Sequence, residues 1–272
     1  MGERITVDVT DGVADVRLNR PDKMNALDEA MFEALVETPK QLEADRRVRC
    51  VVMSGEGRAF CAGLDMGNFG KMAEGGSGDG GRPGGRSRLA ERTHGIANRA
   101  QQAVWGWRQL RVPVISAAHG VALGGGLQVL LGSDIRIVHP ETKLSILEVK
   151  WGLVPDMSST VFMRHFVRDD IIRELTYTGR IFSGTEAGAY GFATHVSETP
   201  LEDALALARE IATKSPDAVQ GAKALYNSLP DRSEAEAMLA ESEHQDGLIG
   251  SPNQIEAIMA GMQKRVGNFE DI

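Results

Sequence analysis

Three consecutive glycines interrupt an apolar run, VALGGGLQVLLGSDIRI, at residues 121–137. Glycine weakens helix and strand interiors, so three together mark a tight turn or a close approach of backbone. The run cannot be one long helix or one long strand. A second stretch, CVVMSGEGRAFCAGLDM at residues 50–66, has the same design. In each, a buried strand ends, a turn of small residues follows and a short helix begins. Strand, turn and helix repeated in this way read as an α/β chain.

The flanking elements fit that reading. ITVDVT (Ile5–Thr10) and VADVRL (Val13–Leu18) flank Asp11-Gly12, a β-hairpin signal. Leu27, Ala30, Met31, Ala34 and Leu35 recur at helical spacing, so a helix starts near Asp28, and Pro39 is expected to kink or end it. Val48–Gly55 and Val112–Ala122 read as buried strands. Thr93–Leu110 reads as a helix with Ile96, Ala100, Ala103, Val104 and Trp107 on one side. After the triple glycine, a short helix begins near Leu127 and DIRIVHP forms the next strand. Helices follow from about Met157 and from Asp169. Beyond about Thr194 the pattern is helical, with starts marked by Ser183…Glu186, Thr199-Pro200…Glu202, Ser215-Pro216, Ser233…Glu236 and Ser251-Pro252…Gln254. The expected division is a core at 1–195 and a helical region at 196–272. Gly67 to Arg92 is rich in Gly, Ser and Arg and is expected to be a mobile loop.

Composition excludes several classes. With 42% hydrophobic residues the chain can build a substantial core, and a net charge of −8 without a basic tract argues against a nucleic-acid partner. Two cysteines make no disulfide framework, and no Cys/His cluster has metal spacing, so a reducing, cytoplasmic setting and no metal are the expectation. No run is long enough and free enough of glycine to span a bilayer.

The glycine turns suggest chemistry. Free N–H groups at a helix start, with their partial positive charge, can hold a carbonyl oxygen as it becomes negative. Phosphate motifs fit less well. Walker A lacks its Gly-Lys-Ser/Thr, and Phe60 stands where a dinucleotide fingerprint needs its third glycine. A G-x-S-x-G elbow is absent. Each turn read alone fits close packing as well as it fits ligand binding. Glu148 and Asp156 stand among apolar neighbours, where a carboxyl rises toward a range useful for proton transfer. Read alone, Asp156 fits a helix N-cap and Glu148 a solvated strand end. His119 and Cys61 fit structural roles better than catalytic ones, and Trp105 and Trp107 fit core or interface positions.

RPDKMNAL, SGEGRAFCAGLDM, AAHGVALGGGLQVLLGSDIRI and LEVKWGLVPDM, in this order, resemble the crotonase (enoyl-CoA hydratase/isomerase) superfamily, from about residue 5 to the C-terminus. The resemblance implies a spiral of ββα units with a C-terminal helical region that drives trimers, often paired into hexamers. It implies acyl-CoA thioester substrates and no separate cofactor, coenzyme A being part of the substrate. It implies oxyanion donors at the Leu64 and Gly125 N–H groups. Coenzyme A contacts are implied around Lys23, Met24 and Ala26, around Ala62, Leu64 and Asp65, and at Gly124. The hydratases of the superfamily carry two glutamates, at the positions of Gln128 and Glu148. Its dienoyl-CoA isomerases use carboxylates at the positions of Glu148 and Asp156, with a further Asp at position 128. A frequent glycine pair is replaced here by Ser158-Ser159.

Gln128 cannot exchange a proton near neutral pH, so the expected proton-transfer set is Glu148 and Asp156 with Gln128 beside them. Double-bond isomerisation of an unsaturated acyl-CoA is the leading expectation. Enoyl-CoA hydration is the alternative, and a non-catalytic acyl-CoA binder is a third. The Gly67–Arg92 segment is expected beside the acyl pocket, with Arg82, Arg86 and Arg88 offered to coenzyme A phosphates.

Overall fold

The computed structural model describes residues 3–65, 67 and 89–272. The Gly67–Arg92 expectation therefore lies almost entirely outside the described residues. The chain opens with the hairpin of β1 (Ile5–Thr10) and β2 (Val13–Leu18), closed by Asp11 and Gly12 at φ 51 and 80°. Two left-handed residues in a two-residue loop match the twist of the paired strands.

β2 then pairs in parallel with β3 (Cys50–Gly55), β3 with β4 (Val114–Ala118), β4 with β6 (Ile135–Val138), and β6 with β9 (His195–Val196). A second, smaller sheet joins β5 (Val121–Leu123), β7 (Lys143–Ser145) and β8 (Phe182–Ser183). An isolated Cys61–Ala122 bridge adds the chain after β3 to its edge. Each turn of the chain thus lays one strand in the large sheet and the next in the small one. The run expected as a single strand at Val112–Ala122 is accordingly two. It breaks at Gly120, φ 65°, where a side chain would meet the Arg58 carbonyl 2.0 Å away.

Both faces of the large sheet are covered, which explains the unbroken apolar letters of β3. Val51 and Met53 face the main core with Trp107, Leu127 and Phe60, whereas Cys50 and Val52 face the other side. There they meet Ala204, Ala208 and Ala212, spaced one turn apart along a helix of the C-terminal region, Pro200–Ala212. By packing, that helix is part of the core.

Helix α1 (Glu29–Ala44) is capped by Asp28, whose carboxylate accepts from the Met31 N–H. It runs through Pro39 rather than ending there. Pro39 is buried, and an added side chain at Gly106 would sit 3.7 Å from its ring. Close packing against the next helix offsets the lost backbone bond. That helix, α2 (Arg99–Gln109), starts later than the apolar spacing implies, because Asn98 and Gln101 form a capping box. Ile96 falls outside it and is 73% exposed. Helix α3 (Gly125–Leu131) begins at Gly125, two residues before the expected Leu127. It is followed after β7 by a 3₁₀ turn at Glu148–Trp151 and by α4 (Ser159–Met163) and α5 (Asp169–Thr178). Beyond β9 the described elements are helical, and Ser215, Ser233 and Ser251 cap their helices as expected. Thr199 makes no side-chain cap, and Pro200 alone marks that start.

Candidate active site

The two glycine turns meet. Cys61 donates to Val121 O and Leu123 donates to Cys61 O, at 3.0 and 3.1 Å. This pairing sets Ala62–Asp65 beside Leu123–Gly126. On the other side of the same segment, Leu27 donates to Gly63 O and Asp65 donates to Leu27 O, so the chain around Lys23–Leu27 completes a three-ply surface. All the residues proposed from resemblance for the coenzyme A contact lie on these plies. The N–H groups of Met24, Ala26, Ala62 and Asp65 are engaged within them. What remains for a ligand on these plies is the Leu64 N–H, carbonyl oxygen, as at Ala62, and the exposed Lys23 side chain. The Asp65 carboxyl accepts from the Gly67 N–H and is paired with Arg20 at 2.6 Å, and in that order the two hold it below the usual range.

Each of the three glycines has its own reason. Gly124 adopts φ 52, ψ −120°, a conformation open essentially to glycine alone. A side chain on Gly125 would meet Leu27 at 2.8 Å and the Met157 sulfur at 3.1 Å. A side chain on Gly126 would lie 2.2 Å from the Cys61 carbonyl. Gly125 is the first residue of α3, so its N–H has no partner within the helix. The Leu64 N–H has no partner among the described residues. Gly63, φ 85°, lets the first turn lie against the second: a side chain there would be 2.4 Å from the Leu123 carbonyl and 3.6 Å from Gly125 N. Two free donors on adjacent turns can stabilise one developing oxyanion.

Beside Gly124 lies Glu148. The place of an added side chain at Gly124 is 3.5 Å from Glu148 Oε1. The carboxyl is 8% exposed, which rules out the solvated strand end. Gln128 Nε2 donates to Oε1 at 2.7 Å, while Oε2 is buried with no hydrogen-bond partner among the described residues. Burial pushes this carboxyl above the usual carboxylate range, and the nearby Asp156 charge adds to the rise. Asp156 is not an N-cap: the residue capping α4 is Ser158. Asp156 is exposed, and the protein packed on one side of it raises its carboxyl above the usual range.

Gln128 is 3% exposed and saturated on its acceptor side. Its Oε1 accepts from Met157 N and from Ser159 Oγ, both at 2.8 Å. Ser158, φ 71°, donates to Gln101 O at 3.2 Å. The serines that stand in place of a glycine pair are thus tied into the wall of the site. His119 holds the first turn through the Gly57 carbonyl at 2.9 Å. Burial pushes the Cys61 thiol up to about 12, so it is not a nucleophile. Trp107 is core, and Trp105 stacks on Phe162 at 5.6 Å.

Asn25 is a site residue that the sequence reading missed. It is fully buried at φ 55°, accepts from Arg20 N, and donates to the Glu56, Ala59 and Phe60 carbonyls. It pins the first glycine turn to the Lys23–Leu27 ply. The available signal was an Asn, which tolerates a left-handed backbone, inside the KMNAL segment.

A family model described as enoyl-CoA hydratase/isomerase matches residues 13–270. The mitochondrial Delta(3,5)-Delta(2,4)-dienoyl-CoA isomerase of Mus musculus is 30% identical over 93% of this chain and 77% of its own length. The mitochondrial enoyl-CoA hydratase domain-containing protein 2 of Homo sapiens is 29% identical over 95% of this chain and 85% of its own. Among solved structures, the enoyl-CoA hydratase of Bacillus anthracis superposes with a TM-score of 0.86 at 27% identity, covering 99% of this chain and 100% of that one. Among the described residues no helix is long and apolar enough to cross a membrane.

Proposed function

The chain belongs to the enoyl-CoA hydratase/isomerase family, with its crotonase fold, and within that family we propose that it shifts double bonds in unsaturated, dienoyl-type acyl-CoA thioesters. One observation carries the reading. Glu148, buried beside Gly124 and raised by loss of water, has the Asp156 charge close enough to raise it further, while the third polar group, Gln128, is held in place and cannot exchange protons.

The thioester carbonyl accepts from the Leu64 and Gly125 N–H groups. Charge moves onto that oxygen as a proton leaves carbon, and the two donors stabilise the enolate without metal or redox cofactor. One carboxylate removes the proton and the other returns one further along the acyl chain. Two proton-transfer groups suit a substrate whose conjugation is displaced over several carbons. Coenzyme A rests on the Lys23–Ala26 and Ala62–Asp65 plies and against Gly124. Exposed Ile255, Ile258, Met259, Met262 and Val266 near the C-terminus support a homo-oligomer, trimer or hexamer.

Hydration of 2-enoyl-CoA is the second reading. The Gln128–Glu148 bond favours it, because one glutamate with an amide partner can still position a water molecule. Purified protein assayed with a 3,5-dienoyl-CoA and with a 2-enoyl-CoA decides between them. The expected result is rapid loss of the dienoyl substrate, abolished in Asp156→Asn. Robust hydration that Asp156→Asn leaves untouched overturns the isomerase reading. Acyl-CoA binding without turnover of either thioester identifies a non-catalytic binder.

A further inference from the structure

We propose that Ser159 is a positioning residue: acting through Gln128, it fixes the Glu148 carboxyl so that Oε1 is always a hydrogen-bond acceptor and Oε2 alone exchanges protons with the substrate. The inference rests on the assignment of proton transfer to Glu148.

The orientation follows from which atoms can donate. The Met157 N–H can only donate, so the Gln128 atom 2.8 Å from it is the carbonyl oxygen. The other end of the amide, 2.7 Å from Glu148 Oε1, is then the NH₂ group, which also can only donate. Glu148 Oε1 must present a lone pair to it in either protonation state. The hydroxyl oxygen of a carboxylic acid is the poorer acceptor, which places a proton on Oε2, the oxygen that is buried with no hydrogen-bond partner among the described residues.

Ser159 completes the lock. Its hydroxyl donates to the second lone pair of Gln128 Oε1 at 2.8 Å. Donation into the carbonyl polarises the amide and strengthens the N–H that meets Glu148. Ser159 is the first residue of α4, and the chain enters that helix through Ser158 in a left-handed conformation. Such a conformation is disfavoured for an L-residue, because Cβ crowds the following carbonyl oxygen. Strain of this kind persists where the surroundings over-determine it. Glycine at 158 would remove that strain, and glycine at 159 would remove the hydroxyl. Gln128 and Ser159 thus depart from the superfamily pattern as one hydrogen-bonded unit, although 31 residues separate them, while Ser158 is tied to the Gln101 carbonyl instead. From outside this unit, the charge that reaches Glu148 is that of Asp156.

The test pairs a reading of the carboxyl with a reading of turnover. Infrared difference spectra across a pH titration follow the carboxylic-acid stretch of Glu148, assigned by its disappearance in Glu148→Gln. Ser159→Ala is expected to move that titration upward, because a weakened Gln128 bond favours the carboxylate less. It is also expected to lower kcat roughly 10- to 100-fold, as a small misplacement of a catalytic group does, with KM little changed. Ser159→Thr should restore both, and Ser158→Gly should leave the titration in place. Gln128→Met, which removes the bridge itself, should shift the titration in the same direction and further. A Ser159→Ala protein with wild-type titration and wild-type kcat overturns the proposal, as does a Gln128→Met protein with an unmoved titration. Failure of the underlying assignment shows separately, as undiminished turnover in Glu148→Gln.

Discussion

Replacing Gln128 by glutamate is the sharpest single perturbation of this site. The new carboxyl would lie where the amide now contacts Glu148 at 2.7 Å, with carboxylate centres about 4 Å apart. Two unit charges at that distance repel by about 4 kcal/mol at an effective dielectric of 20, equivalent to roughly three pKa units. At neutral pH the pair therefore carries one charge and shares one proton, as two carboxyls in one site do. Where the charge settles is decided by the donors. Met157 N–H and Ser159 O–H, both at 2.8 Å from the amide oxygen, hold it on the introduced side chain. The proton is left on Glu148, which can no longer act as a base. Isomerisation of a 3,5-dienoyl-CoA should fall by one to two orders of magnitude, roughly, at neutral pH and recover about tenfold per pH unit as the pair loses its proton. Hydration of a 2-enoyl-CoA should move the other way, because one water then faces both a carboxylate and a carboxylic acid. The two rates, measured from pH 6 to 10 on the same preparation, check this. A loss of isomerisation that does not recover with pH would falsify the assignment of Glu148 as base. Equal movement of both rates would refute the argument about where the proton sits.

Three further outcomes follow from the same geometry. Gly126→Ala places a methyl 2.2 Å from the Cys61 carbonyl and must push the turns apart, so it should cost about 2–4 kcal/mol, read by denaturant unfolding, and lower kcat at least tenfold. Asn25→Ala leaves three carbonyls and an N–H short of partners at a φ of 55°; about 2–4 kcal/mol, or a drop in Tm of roughly 5–10 °C, is expected by calorimetry. The raised Glu148 carboxyl binds its proton more tightly folded than unfolded, so it removes stability as pH rises from the unfolded value toward the folded one. The Tm of Glu148→Gln relative to wild type should therefore climb as pH rises above the ordinary carboxylate value of about 4.5; parallel Tm curves would refute the shift.

What was legible in the letters was local or periodic. Asp11-Gly12 named the hairpin and its turn because both residues supply a left-handed backbone wherever they stand. Asp28 and three of the capping serines announced helix starts because a cap acts within three residues of itself. What was not legible depended on partners distant in sequence. The run Val112–Ala122 is largely apolar, and its division between two sheets is set by the Arg58 carbonyl against Gly120, 62 residues away. Pro39 stays inside α1 because of packing against Gly106.

Gln128 joins the two kinds of information. Its identity alone removed the second glutamate of a hydratase pair and shifted proton transfer toward Glu148 and Asp156. Its role needed Met157 and Ser159, which no spacing rule connects to it. The triple glycine divides in the same way. That the backbone had to turn was readable, but three different causes act on three adjacent residues: a forbidden conformation at Gly124, side-chain contact at Gly125 and a carbonyl at Gly126. A substitution series across the three should therefore show three separate responses. Gly124→Ala should strain the backbone while leaving van der Waals room, its nearest neighbour being 3.5 Å away. Gly125→Ala should be absorbed in part by the flexible Leu27 and Met157 side chains, and Gly126→Ala should find no give in the Cys61 backbone. Equal losses of stability at all three positions would mean that a single constraint acts on the whole turn, and that the free N–H of Gly125 is incidental to it.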